Sequence, residues 1–263
     1  MNFTQYLASH HEGRRPGGDH KPWVIAHRGY SAAAPENTLA AVDAARAIGA
    51  DLIEIDLGLS GDGTPMVIHD QSIDRTTNLR GQVSLLSDEQ LSLADAGAWL
   101  GDGFAGQRIP ALRRLLEDVE DRGGTILLEF KDDWSPAAIA RVSRDITETR
   151  MADRVLIQSF SVPTLTACRD VIPMVPRALL RMVPRPDDAR LLEDLDAVAY
   201  NPSHRGFLTR RSVAEDIMNA GYGMFIWTVD DPQDWERLLG SGIHGIITNH
   251  PGRLQGYLAA KYD

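Results

Sequence analysis

The sequence predicts an α/β fold, a closed (β/α)8 TIM barrel with a small insertion after the second strand. Three observations carry that prediction. Strand-like and helix-like stretches alternate eight times over about 240 residues, which is the rhythm of a closed parallel barrel. Residues 51–57 read Asp-Leu-Ile-Glu-Ile-Asp-Leu, apolar on both sides of two acids, as in a strand covered on both faces. Side chains suited to acid–base or charge chemistry fall at the C-terminal ends of the strands, where such barrels keep their sites.

The elements follow in order. Residues 1–22 carry His10-His11, Arg14-Arg15 and Gly17-Gly18 without an apolar run. They read as a polar N-terminal extension with a short helix near residues 3–8, neither a secretory signal nor a membrane span. The barrel domain then occupies residues 23–263. Residues 23–27 form the first strand. Pro35-Glu36-Asn37-Thr38 opens a helix to about residue 48, ended by Gly49. The central strand turns at Ser60-Gly61-Asp62-Gly63, returns over residues 65–68 and ends on His69-Asp70. Residues 71–108 are a long connection of the kind that carries function or a small subdomain, with a helix over 85–93 capped by Ser87.

Regular alternation resumes after Pro110. A helix over 111–122 precedes a strand over 125–131. Ser135 caps a helix with Pro136 in its first position, running to about residue 150. Strands are predicted over 154–160, 174–181, 196–200, 223–229 and 244–248. The helices between and after them cover 162–171, 187–195, 209–220, 231–239 and 252–262.

Composition narrows the function. The chain has 263 residues, 43% hydrophobic and 24% charged, with a net charge of −10. A globular domain with a sizeable core follows. Nucleic acid is an unlikely partner for so acidic a surface. The single cysteine, Cys168, allows no intrachain disulfide and no multi-cysteine zinc site, and fits a reducing, cytoplasmic setting. No transmembrane segment is expected, and oligomeric state stays open.

A strand turns alternate side chains to one face, so Glu54 and Asp56 point the same way, as do Glu129 and Lys131 on the third ring strand. Two like charges that close need a neutralising cation, so a hard-cation site is favoured over a structural ion pair. Glu54, Asp56 and Glu129 suit Mg²⁺ or Ca²⁺. His27 and His69, each at a strand end, suit proton transfer near neutrality: one to deprotonate a nucleophile, the other to protonate a leaving alkoxide. Arg28 and Lys131 add fixed positive charge that suits a phosphoryl oxygen better than a sugar. A zinc hydrolase is the rival, but the usual zinc ligand spacing is absent. A glycosidase built on two carboxylates fits the flanking cations less well.

Taken together, these segments resemble the glycerophosphodiester phosphodiesterase family. The resemblance rests on His27-Arg28-Gly29, Pro35-Glu36-Asn37-Thr38, Glu54-Ile55-Asp56-Leu57, Asp62-Gly63 followed by His69-Asp70, Ile109-Pro110, Glu129-Phe130-Lys131, Trp227-Thr228-Val229 and Thr248-Asn249. It spans about residues 23–260. Residues 71–108, with Asp74-Arg75-Thr76-Thr77, stand where that family has its insertion. Gly61 stands where many members have lysine, at a turn. The resemblance implies metal-dependent cleavage of a small-molecule glycerophosphodiester to glycerol 3-phosphate and an alcohol. It implies metal ligands at Glu54, Asp56 and Glu129, and an acid–base pair at His27 and His69. It also implies a phosphate contact at Arg28, a basic neighbour at Lys131, a glycerol contact at Trp227 and a pocket wall at Phe160. Lysophospholipid or inositol-lipid cleavage on the same barrel, or binding without chemistry, are the alternatives.

Overall fold

The computed structural model describes residues 21–262; the short helix expected near residues 3–8 lies outside the described residues. The chain runs β1 (Trp23–Ala26), α1 (Leu39–Ala47), β2 (Leu52–Leu59), β3 (Pro65–Val67), α2 (Asp88–Leu93), α3 (Leu112–Arg122) and β4 (Ile126–Phe130). It continues with α4 (Pro136–Glu148), β5 (Val155–Ser159), α5 (Val162–Val171), β6 (Arg177–Arg181), α6 (Asp188–Asp194) and β7 (Ala199–Pro202). The last elements are α7 (His204–Thr209), α8 (Arg211–Asn219), β8 (Gly223–Ile226), α9 (Pro232–Leu238), β9 (Gly245–Thr248) and α10 (Pro251–Tyr262). Hydrogen bonds order the ring β1-β9-β8-β7-β6-β5-β4-β2, and β1 pairs with β2 to close it, all in parallel. The extra strand β3 lies outside the ring, antiparallel to β2.

Strand parity divides the core in two. Trp23, Ile25, Leu52, Leu127, Leu156, Ala178, Val198, Ala199, Phe225 and Ile247 fill the barrel interior. The alternate residues, such as Val24, Ile53, Ile55, Ile126 and Leu128, pack outward against the helices. Leu112, Leu115, Leu116 and Val119 supply the matching helical stripe on α3. The same inward parity continues past the apolar layer to His27, to Glu54 and Asp56, to Glu129, and to Gln158. The register sets Asp56 beside Glu129 and Glu129 beside Gln158. The period of two therefore builds an apolar floor and a polar mouth from the same strands.

The long connection between β3 and α3 has its own small core of Met66, Ile68, Ile73, Val83, Leu91, Ala94, Ala96 and Ile109. Ser87 caps α2 in a capping box with Gln90. Several bounds change: the strand expected over 174–181 starts at Arg177 and the one expected over 223–229 ends at Ile226, and three further changes have a visible cause. The helix expected from Pro35 starts only at Leu39, because Asn37 is left-handed (φ 58) and Thr38 is the cap. The strand expected from residue 196 starts at Ala199, since Asp196 is also left-handed (φ 46). The helix expected over 209–220 is two helices, broken at Arg210 (φ −127, ψ 43).

Near the floor, His244 accepts a hydrogen bond from the Met224 N–H through Nδ1 at 3.1 Å. Burial holds this imidazole down to about 4, so the folded state keeps it neutral. Its stabilising effect is complete above the unfolded value of about 6.5 and is lost as pH falls toward 4, a change of at most about 3 kcal/mol. In urea melts between pH 7.5 and 4.5, H244N is expected to lose less stability than the wild type; parallel slopes for the two proteins would refute this.

Candidate active site

The mouth is assembled from the ends of β1, β2 and β4. At β1 the chain leaves the strand through two successive left-handed residues, Arg28 (φ 56) and Gly29 (φ 75). A Cβ on Gly29 would lie 2.6 Å from a backbone carbon of Ala41, so only glycine fits there. This turn points the Arg28 N–H at Glu54 Oε2 (2.8 Å). It also carries the guanidinium back across the mouth, with Nη1 2.8 Å from Glu36 Oε1 and Nε 3.4 Å from Asp56 Oδ2.

Ligand oxygens of Glu54, Asp56 and Glu129 lie within 4.8 Å of one another, and all three residues are buried. Lys131 Nζ donates to Glu129 Oε1 at 2.7 Å and stands 3.5 Å from Asp56 Oδ1. Asn37 Nδ2 donates to Asp56 Oδ2 at 2.8 Å, while Asn37 Oδ1 accepts from the Asp56 N–H. Burial, then Asp56 and Glu129, push the Glu54 carboxyl well above the ordinary range. Burial and Asp56 push Glu129 up to about 7. Burial presses Asp56 the same way, but Arg28 and Lys131 outweigh it and hold it low.

The donor set fits a divalent cation. Glu54 Oε1 and Asp56 Oδ1 are buried without a hydrogen-bond partner, a costly state for anionic oxygens that a bound cation relieves. All three groups offer hard oxygen, which suits Mg²⁺ or Ca²⁺ rather than a thiolate-seeking metal.

Both histidines are locked by their Nδ1 atoms. Asn249 Nδ2 donates to Asp230 Oδ2, so its Oδ1 faces His27 Nδ1 at 2.7 Å and must accept. His27 therefore presents Nε2, 4.0 Å from Glu54 Oε2. Burial, then the Arg28 charge, lower the His27 imidazole below its usual value. His69 Nδ1 lies 2.6 Å from Asp70 Oδ1. The hydrogen bond from Arg75 is the main cause that holds Asp70 down to about 2. Asp70 is thus an acceptor at neutral pH, and His69 also presents Nε2.

His69 and Lys131 form one wall of a cavity of about 320 Å³, bounded also by Leu59, Gln82, Ser84 and Trp134. Phe160 and Trp227 pack edge to face, 5.5 Å between centroids, past the ends of β5 and β8. A polar chain joins them to the acids. Trp227 Nε1 donates to the Asn201 carbonyl, Asn201 Nδ2 to Gln158 Oε1, and Gln158 Nε2 to Glu129 Oε2. The structure thus gathers His27, Arg28, Glu54, Asp56, Glu129 and Lys131 tightly. His69 lies at one flank, and the Phe160–Trp227 pair is reached through hydrogen bonds. Sequence reasoning left Glu36 and Asn37 between supporting the first loop and starting the helix, and missed the Asn37 bonds to Asp56, the Asp230–Asn249 pair and the Gln158–Asn201 chain. Asn37 alone carried a signal, as a residue type tolerant of left-handed backbone beside a proline-led turn.

Fold and mouth together define a class, the (β/α)8 barrel hydrolases. Residues 27–253 match the model of the glycerophosphoryl diester phosphodiesterase family, and the chain belongs to that family. It is 35% identical over 236 residues to a glycerophosphodiester phosphodiesterase of Caldanaerobacter subterraneus subsp. tengcongensis, covering 89% of this chain and 96% of the relative. It is 31% identical over 235 residues to one from Bacillus altitudinis, covering 88% and 95%. Among solved structures, an Oleispira antarctica phosphodiesterase in complex with the product sn-glycerol-3-phosphate superposes with a TM-score of 0.82 at 28% identity, covering 90% of this chain and 97% of that one.

Asn37 gives a direct test of how the mouth is held. N37A loses a buried bond to a charged partner and keeps a strained backbone, so it should destabilise by about 2–4 kcal/mol in urea unfolding. N37G should recover only the backbone part, about 1 kcal/mol. Equal stability of N37G and wild type would show that the contacts to Asp56 contribute nothing net.

Proposed function

We propose that this chain hydrolyses glycerophosphodiesters to glycerol 3-phosphate and an alcohol, in a reaction that needs a divalent cation. The observation that carries this reading is the trio of crowded, partly unpartnered carboxylates set between two fixed cations and two imidazoles. Glu54, Asp56 and Glu129 would hold Mg²⁺ or Ca²⁺. The bound cation would polarise the phosphoryl group and offset its charge.

The chain's own residues do the rest. Arg28 and Lys131 take the anionic phosphoryl oxygens, as fixed positive charge favours. Trp227 and Phe160 give the glycerol half an apolar wall. The departing alcohol lies in the cavity walled by His69. His27 Nε2 takes the proton of the attacking hydroxyl, from water or from the substrate itself. His69, in its doubly protonated form with Nδ1–H held on Asp70, gives its Nε2 proton to the leaving oxygen as its bond to phosphorus breaks. Asn249 and Asp70 fix the two rings for these roles. Residues 23–263 act as one catalytic unit, with 71–108 as its insertion.

A second reading, lysophospholipids as substrates, has one observation in its favour. Leu79, Leu85, Leu93, Trp99 and Leu100, all within residues 71–108, are large hydrophobic side chains left exposed. Exposed apolar side chains on the insertion suit an acyl chain. Among the described residues no helix is long and apolar enough to cross a membrane.

The test is release of glycerol 3-phosphate from glycerophosphodiesters with choline, ethanolamine, glycerol and inositol head groups, beside lysophosphatidylcholine. Product should vanish in EDTA and return with Mg²⁺ or Ca²⁺. H27A and H69A should each lower kcat roughly 10²–10⁴-fold without loss of fold. Undiminished turnover in chelator would defeat the metal requirement, and full activity of either variant would defeat the acid–base assignment. Faster release of lysophosphatidic acid from the lysolipid than of glycerol 3-phosphate from any soluble diester would favour the second reading.

A further inference from the structure

We propose that Arg75, on the connection between β3 and α3, is a positioning residue that sets the phosphate-binding guanidinium and an acid–base imidazole in one geometry. The inference rests on the reaction proposed above. It is carried by a continuous chain of charge-assisted hydrogen bonds. Arg75 grips Glu36 with both terminal nitrogens, Nη1 to Oε2 at 2.7 Å and Nη2 to Oε1 at 2.8 Å. Its Nε donates to Asp70 Oδ2 at 2.6 Å. Glu36 Oε1 also accepts from Arg28 Nη1, and Asp70 Oδ1 accepts from His69 Nδ1. The order is therefore Arg28, Glu36, Arg75, Asp70, His69.

One guanidinium is the hinge of that chain because of its shape. It offers donors in a fixed planar fork, and here two edges of the fork serve two different carboxylates. The bidentate grip fixes the plane of Glu36, and Glu36 in turn fixes where Arg28 points. The single bond to Asp70 leaves its other oxygen for His69, so the ring cannot turn without breaking it. Lysine carries the same charge but has one nitrogen and no fork. No hydrogen bond or ion pair joins Arg75 to Glu54, Asp56 or Glu129 among the described residues, so its effect passes through Glu36 and Asp70. Glu36 lies 39 residues earlier in the chain, so this contact also wires the insertion to the first loop. Nearly half of the Arg75 side chain is exposed, so a small guanidinium compound can enter the gap its removal leaves.

The experiment compares wild type, R75A and R75K by steady-state kinetics, thermal unfolding and ¹⁵N–¹H spectra of the imidazoles. R75A should lower kcat about tenfold or more, with the melting temperature nearly unchanged and activity partly restored by millimolar methylguanidine. R75K should stay about fivefold or more below wild type. In spectra recorded at a pH where the ring is neutral, His69 should keep its one proton on Nδ1 in the wild type and mix tautomers in R75A. A kcat for R75A within twofold of wild type, with unmoved His69 signals, overturns the proposal. So does a loss of activity that follows a fall in melting temperature, is not rescued, and leaves the tautomer alone. If the wild type cleaves none of the diesters, the reaction assignment fails by itself, and the His69 tautomer still decides whether Arg75 positions the ring.

Discussion

Three carboxylates share a space in which their oxygens lie within 4.8 Å of one another, and much of the mouth exists to make that tolerable. At an effective dielectric of about 20, two unit charges at such a separation repel by about 3 kcal/mol, and three of them do so three times over. Their surroundings divide the burden unevenly. Asp56 accepts a hydrogen bond from the Asn37 amide on its carboxylate, donates its own N–H back to Asn37 Oδ1, and is held low by the fields of Arg28 and Lys131. Glu54 and Glu129 are pushed upward and share less of the negative charge. A site balanced in this way keeps three hard oxygens together in a form that could hold a cation.

The compensation is supplied by loops whose backbone is held in uncommon conformations. Arg28 and Asn37 are both left-handed residues other than glycine, each costing of order 1 kcal/mol or more. Each such residue delivers a donor to a buried carboxylate: the Arg28 N–H to Glu54, the Asn37 amide to Asp56. Asp132, Arg150 and Asp196 are left-handed as well, all of them in connections between elements rather than inside the ring strands. Stability and chemistry are thus carried by different layers of the same strands, the apolar inward residues below and the charged inward residues above.

Much of this layering was legible in the sequence because it obeys a period of two. The run from Leu52 to Leu57 announces both faces of β2, and the pairing of Glu54 with Asp56 follows without a structure. Caps at Ser87 and Ser135 were equally readable, since serine at an N-cap acts within three residues. What could not be read is either conformational or long-range. Pro35 to Thr38 has the composition of a helix start; the asparagine permits a left-handed residue there, but nothing local says that it would meet Asp56. Asp196 delays β7 for the same reason. The break at Arg210 has no glycine or proline to mark it. Asp230 reaches Asn249 and Arg75 reaches Glu36 across sequence gaps that carry no pattern.

The asymmetry of the mouth follows from the ring order. β1, β2 and β4 are consecutive in the ring, so the acids, Arg28, Lys131 and His27 crowd onto one arc. The hairpin β2–β3 adds His69 from outside the ring, on the side of the insertion. Phe160 and Trp227 come from β5 and β8, beyond Glu129 and the Gln158–Asn201 chain. The mouth is therefore flanked by two unlike surroundings. One is the pair of aromatic rings; the other is a cavity edged by His69 and by Gln82 and Ser84 of the insertion. Under the reaction proposed above, the direction of cleavage would be set by the framework, because the ring and the hairpin decide which imidazole stands beside which of the two.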